Sequence, residues 1–126
     1  MKIRKAELTD ASELALLNQQ LIVDEQHRNS MTLAELQERM SEWLSGEYSA
    51  YLFVTGGETL GYALSRVEDE SVYLRQFFVF DRFRRQGVGR AAFGLLREQQ
   101  WGGVGALAIL GGGCLYAGIQ VLLEAK

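Results

Sequence analysis

Proline is absent from this 126-residue chain, and cysteine and histidine occur once each. A single cysteine, Cys114, excludes an intramolecular disulfide and any zinc centre built on several cysteines. That points to a reducing compartment, with Cys114 as one small apolar residue and no metal site expected. A basic surplus is lacking too: 13 Lys and Arg stand against 16 Asp and Glu, for a net charge of −3 and a pI of about 5.2. Such a balance argues against the basic surface that nucleic-acid binding needs. The opening MKIRKAELTD has no apolar stretch of the kind that makes a signal peptide, so a cytoplasmic location is expected. Internal repeats are missing as well, and the sequence offers no physical reason for the missing proline. At 48% hydrophobic and 23% charged the composition is that of a globular protein. The length suits one domain over residues 1–126, without room for a linker and a second core.

Periodicity then orders the chain. Residues 2–8 alternate as a short mixed strand, and Thr9-Asp10 supply the cap of a helix whose apolar stripe is Ala11, Leu14, Leu17 and Leu21. After the polar run DEQHRNS, Thr32 and Glu35 form a capping box for a second helix, with Leu33, Leu36, Met40 and Trp43 on one face. Past Gly46 the period becomes extended. YSAYLFVT, a Gly56-Gly57 turn, TLGYALSRV, the polar turn of residues 68–71 and VYLRQFFVF read as a three-strand meander. The third strand is bulky on both faces, Tyr73, Phe77 and Val79 on one and Leu74, Phe78 and Phe80 on the other, so helices are expected to cover it on both sides. A third helix follows from Gly87, with Val88, Ala91, Ala92, Leu95, Leu96 and Gln99 marking its face.

No charged residue occurs from Trp101 to Leu123. Seven glycines and Gln120 within that run weigh against a membrane span, since glycine adds little to bilayer transfer. Strands at 104–110 and 119–123 with a glycine turn between them are the expectation.

The chemistry concentrates at FRRQGVGRAA, residues 83–92. Four arginines and no acid lie between Arg82 and Arg90. A helix starting near Gly87 leaves its first N–H groups unpaired and its positive dipole end facing outward, and glycines let a ligand approach the main chain. Backbone donors, a helix start and guanidinium groups together suit a polyanion, a pyrophosphate best. The same letters satisfy the dinucleotide fingerprint G-x-G-x-x-G/A, but no acid follows between Glu98 and Glu124 to hold a ribose. The lysine-bearing phosphate loop is absent.

Arg84-Arg85-Gln86-Gly87-Val88-Gly89 resembles the acetyl-CoA signature R/Q-x-x-G-x-G/A of the GNAT superfamily of N-acetyltransferases. The element order over residues 2–101 is similar to that fold as well. The resemblance implies an α/β (α+β) fold with a central mixed, mostly antiparallel sheet flanked by helices. Its order is strand, helix, helix, three strands, helix and strand, with residues 101–126 as a divergent tail. It implies acetyl-CoA as co-substrate, its pyrophosphate held around Arg84, Arg85, Gln86, Gly87, Val88, Gly89 and Arg90. The Val79 N–H is the implied oxyanion donor, beside a bulge in the third meander strand. The implied reaction is direct attack by a primary amine of a small molecule or protein on the thioester.

General acid and base stay unassigned. Asp24, Glu25 and His27 fall between the first two helices, a segment that borders the acceptor site in the family, though a solvated helix end is the commoner role for such residues. Arg75 and Gln76 are placed to face the acceptor cleft, Arg75 reading equally as an ordinary surface charge. The tail departs from the family, which continues with a helix patterned N-x-x-A-x-x-x-Y. No asparagine follows Asn29, and GCLYAGIQ around Tyr116 does not match. Two explanations fit: a minimal divergent ending, or a shift of coding frame after Trp101. A non-catalytic acyl-CoA binding or sensing domain is the alternative function, and a nucleotide-binding module a third. Open strand edges would favour a homodimer.

Overall fold

Thr32 shows how local chemistry sets the elements. Its hydroxyl accepts from the Glu35 N–H at 3.1 Å while the Glu35 carboxylate accepts from the Thr32 N–H at 2.9 Å, and the helix starts at the next residue. Such a cap contributes about 0.5–2 kcal/mol. The computed structural model describes residues 1–24, 31–68, 71–101 and 119–122. Five strands, β1 (Lys2–Lys5), β2 (Tyr48–Thr55), β3 (Glu58–Glu68), β4 (Ser71–Val79) and β5 (Ile119–Leu122), form one sheet in the order β1-β2-β3-β4-β5. Every pairing among them is antiparallel. The helices are α1 (Ala11–Asp24), α2 (Leu33–Ser45) and α3 (Val88–Gln99). Gly56 and Gly57, with φ of 57° and 81°, make the tight β2–β3 turn, whose left-handed residues match the twist of the strands.

Helices cover both faces. On one, Leu14, Leu17 and Leu21 of α1 and Met40 of α2 pack on Leu52, Tyr62, Leu64 and Phe78. On the other, Ala92, Phe93 and Leu96 of α3 pack with Trp101 on Phe53, Ala63, Leu74, Phe77 and Val79. Each large side chain removed from water in this way contributes roughly 1.5–3 kcal/mol. The α/β fold read from the sequence is the fold found.

Several local expectations are corrected. The first strand ends at Lys5, not residue 8, because Asp10 folds the chain back. Its carboxylate accepts from the Glu7 N–H at 2.7 Å and from both Arg4 guanidinium nitrogens at 3.0 and 3.1 Å. The Arg4 hydrogen bonds hold Asp10 below the usual carboxylate range, against a smaller opposing effect of burial. Residues 8–10 therefore form a 3-10 turn, and Asp10 caps that turn rather than α1. On α3 the buried row is Gly89, Ala92, Phe93 and Leu96, with Ala91 exposed. On α2, Leu33 is exposed.

The faces of β4 are also reassigned. Gln76 pairs with Leu64 but Leu74 pairs with Ser65, so Arg75 is an extra residue in β4. This bulge, four residues before Val79 and not beside it as expected, breaks the alternation. Leu74, Phe77 and Val79 face α3, whereas Phe78 faces α1 and α2 and Tyr73 lies on that side against Arg66. Of the tail, the expected strand near 119–123 is present as β5. The expected strand at 104–110, Cys114 and Tyr116 lie outside the described residues.

Candidate functional site

The junction between β4 and α3 is a sequence of tight turns. Residues 81–83 form a 3-10 turn, in which Phe83 N–H donates to Phe80 O at 2.9 Å and Arg84 N–H to Asp81 O at 3.1 Å. Arg85 then takes a left-handed φ of 64°, and Gly87 follows with φ 78° and ψ 7°. For a non-glycine residue that conformation costs roughly 1–2 kcal/mol. Left-handed residues followed by helical ones turn successive N–H groups into one concavity, which suits an anion. Gln86 supports the turn by donating from Nε2 to Arg82 O at 3.0 Å.

The first helical bond of α3 runs from Ala91 N–H to Gly87 O at 3.0 Å. The amides of Val88, Gly89 and Arg90 precede it, no side chain caps the helix, and its first turn holds no acid. Gly87 is exposed, and a Cβ built on it meets nothing within 4 Å. Arg85 and Arg90 are exposed beside it. Arg82 instead stacks on Phe83 at 4.7 Å and reaches Glu58 at 3.3 Å.

Arg84 turns inward. Its Nε donates to the Val79 carbonyl at 2.8 Å, its Nη2 to Asp24 Oδ2 at 2.6 Å, and its Nη1 lies 3.5 Å from Asp81 Oδ1. Only 14% of the side chain is exposed. The guanidinium thus joins the end of α1 to the end of β4 instead of facing the loop's concavity. The second Asp24 oxygen accepts from Gln20 at 2.8 Å, so each oxygen of this carboxylate has a partner. Glu25 and His27 lie outside the described residues. For a partly exposed pair with a further bond to the main chain, Arg84→Ala is expected to lower stability by about 1–3 kcal/mol. Asp24→Asn should reproduce most of that loss in urea denaturation.

Val79 is 1% exposed, its side chain in the core under α3. Its main chain is another matter. Phe80 N–H bonds to Leu60 O at 2.9 Å, and in an antiparallel ladder bonded and non-bonded pairs alternate. The Gly61–Val79 and Ala63–Phe77 pairs are therefore the non-bonded ones, and the N–H groups of Val79 and Phe77 point away from β3. On that outer edge β5 pairs only with Ser71 to Leu74. Among the described residues no strand covers the stretch from Arg75 to Val79.

Arg75 and Gln76 lie on the face toward α1 and α2. Gln76 is buried and accepts from the Tyr62 hydroxyl at 2.7 Å. Arg75 stacks on Trp43 at 4.9 Å, and Arg39 stacks on the same ring at 4.6 Å. The sequence reading missed this pair of arginines. Arg39 and Trp43, four residues apart on one helix face, were the available signal.

Among the described residues no group of three or more His, Cys, Asp or Glu could hold a metal ion, and no helix is long and apolar enough to cross a membrane. No curated protein sequence matches the chain. Among solved structures, a "possible acetyltransferase" from Clostridium difficile 630 superposes with a TM-score of 0.66 at 14% identity, over 77% of this chain and 68% of that one. A Clostridium acetobutylicum "predicted acetyltransferase with acetyl-CoA" gives 0.64 at 14% identity, over 78% and 71%. A protein from Staphylococcus aureus described as GNAT family acetyltransferase gives 0.61 at 14% identity, over 78% and 89%. At such identities these structures speak for the fold. The acetyltransferase (GNAT) domain, as a family, matches residues 7–99, which take in both helices of the first layer, the meander, the turn at Gly87 and all of α3. By that span and that fold, the chain belongs to the GNAT acetyltransferase family.

Proposed function

We propose that the protein is an N-acetyltransferase that moves an acetyl group from acetyl-CoA to a primary amine. The observation that carries this reading is the run of uncapped amides at Val88, Gly89 and Arg90 beside an exposed, left-handed Gly87. The pyrophosphate of acetyl-CoA lies in that concavity, against the main chain of residues 84–90 and the guanidinium groups of Arg85 and Arg90. From there the pantetheine arm runs along the uncovered edge of β4 and bonds to its outward amides. The Val79 N–H is the donor that meets the thioester oxygen as it gains negative charge.

The chemical step is attack by the neutral amine on the acyl carbon, followed by departure of the coenzyme A thiolate. A lysine-like amine has a pKa of about 10.4, so near pH 7 its proton must leave to a base or a water relay before attack. After attack the nitrogen of the tetrahedral intermediate loses a second proton and the departing thiolate takes one up, so the products are the amide and the free thiol.

Thermal shift with acetyl-CoA, coenzyme A, NAD and ATP tests the site. The expected result is a rise in Tm with the two coenzyme A ligands alone. Thiol release from acetyl-CoA, followed across a panel of primary amines, tests the reaction. Binding without thiol release from any amine would leave an acyl-CoA binding domain in place of an enzyme, and protection by NAD or ATP alone would remove both readings.

A further inference from the structure

On the face of β4 opposite α3, the bulge turns Arg75 toward α2, and positive charge gathers there on aromatic rings. Arg39 and Arg75 lie over Trp43 at 4.6 and 4.9 Å, and Arg75 and Arg66 lie 5.9 and 5.3 Å from the Tyr48 ring. The Tyr48 hydroxyl accepts from Arg75 Nη1 at 3.4 Å. Among the described residues, neither Arg39 nor Arg75 forms an ion pair with a carboxylate. Burial lowers the pKa of Arg39, and the charge of Arg75 lowers it further.

Donors are in excess at the same place. Arg39 Nη2 donates to Asn18 Oδ1 at 2.9 Å, yet Arg39 Nε is buried without a partner. So is Nδ2 of Asn18, a residue 1% exposed. A buried donor left unmade is costly, and two like charges on one ring add repulsion. Aromatic faces offset part of this. A planar anion with two oxygens offsets more, because it accepts from guanidinium edges in a matched geometry.

The position of the cluster says what such an anion belongs to. Arg75 is four residues before Val79 on the strand whose outer edge holds the outward amides, about 13 Å at the rise of a strand, a span within the combined reach of an arginine side chain and a small extended acceptor. A small molecule anchored here by one end therefore brings its other end close to an acyl group on that edge. We propose that the Arg39–Arg75 cluster on Trp43 is the acceptor-selecting site, and that it binds the carboxylate of an amino-acid-like acceptor whose amine receives the acetyl group. This rests on the reading of the β4 edge as the acyl site, but carboxylate recognition is measurable without turnover.

Equilibrium titration of the full chain, with and without coenzyme A, compares N-acetylglycine, N-acetylleucine and N-acetylphenylalanine with their carboxamides, which match in shape and lack the charge. The acids are expected to bind about tenfold or more tighter than the amides. Arg39→Gln and Arg75→Gln should each shrink that ratio toward one while coenzyme A affinity stays as in the parent chain. Equal affinity for acid and amide, no binding of either, or a ratio that survives both substitutions overturns the proposal. Tighter binding of phosphoethanolamine than of any of these acids overturns the carboxylate assignment. Failure of the parent chain to bind coenzyme A refutes the acetyl-transfer reading and leaves the acid-to-amide ratio as an independent result.

Discussion

Gly61→Ala is expected to lower the unfolding free energy by about 3 kcal/mol or more, a large share of what holds a small domain together. A Cβ at this position falls 2.0 Å from the Phe78 carbonyl oxygen and 2.9 Å from Phe78 C and Val79 Cα. All three atoms are main chain of β4, so no side-chain rotation relieves the contact. Non-bonded pairs bring antiparallel strands closest together, and Gly61 faces Val79 in such a pair. Urea denaturation gives the size of the loss. Gly94→Ala is the matched control: it meets nothing within 4 Å in the interior of α3 and should gain about 0.5–1 kcal/mol from helix propensity. Equal stability of the Gly61 and Gly94 variants would contradict the close approach of β3 and β4. Because Val79 moves with any separation of these strands, coenzyme A affinity should fall together with stability in the Gly61 variant.

For Gly87→Glu the expected result is a loss of coenzyme A affinity of at least 100-fold with the fold kept. The left-handed φ of 78° costs glutamate roughly 1–2 kcal/mol. A carboxylate at a helix start gives back about 0.3–1 kcal/mol by its interaction with the dipole. The net effect on stability is small. The effect on the ligand is large for two reasons: the new carboxylate satisfies the amides that the pyrophosphate would use, and its charge repels phosphate. Gly87→Ala carries only the strain and should lose far less. Calorimetric titration of both variants separates these contributions, and unchanged affinity of the glutamate variant would remove the assignment of residues 87–90 to phosphate.

What could be read from the sequence was what neighbours in the chain decide among themselves. Thr32 and Glu35 announce a helix start because both partners of the box lie within four residues. Gly56-Gly57 announces a hairpin, and the charge and glycine pattern after Val79 announces the start of α3. Features set by distant partners were not legible. Nothing in SVYLRQFFV marks Arg75 as a bulge, because the extra residue exists only in the register against β3. Arg84 looks from its neighbours like one more phosphate-facing arginine. Its direction is decided by Asp24, sixty residues earlier in the chain. The Arg39–Arg75 cluster joins α2 to β2 and β4, so no window of sequence contains it.

The sheet order follows the chain order, and this bears on how the molecule assembles. β2, β3 and β4 meet their partners across short connections, so closing these hairpins costs little chain entropy. β1 instead reaches β2 only after two helices have been traversed, Lys2 pairing with Val54. Local contacts favour early formation. The meander is thus expected to form before β1 docks on it, and Gly61 lies on its middle strand, near the end at which β4 leaves the sheet.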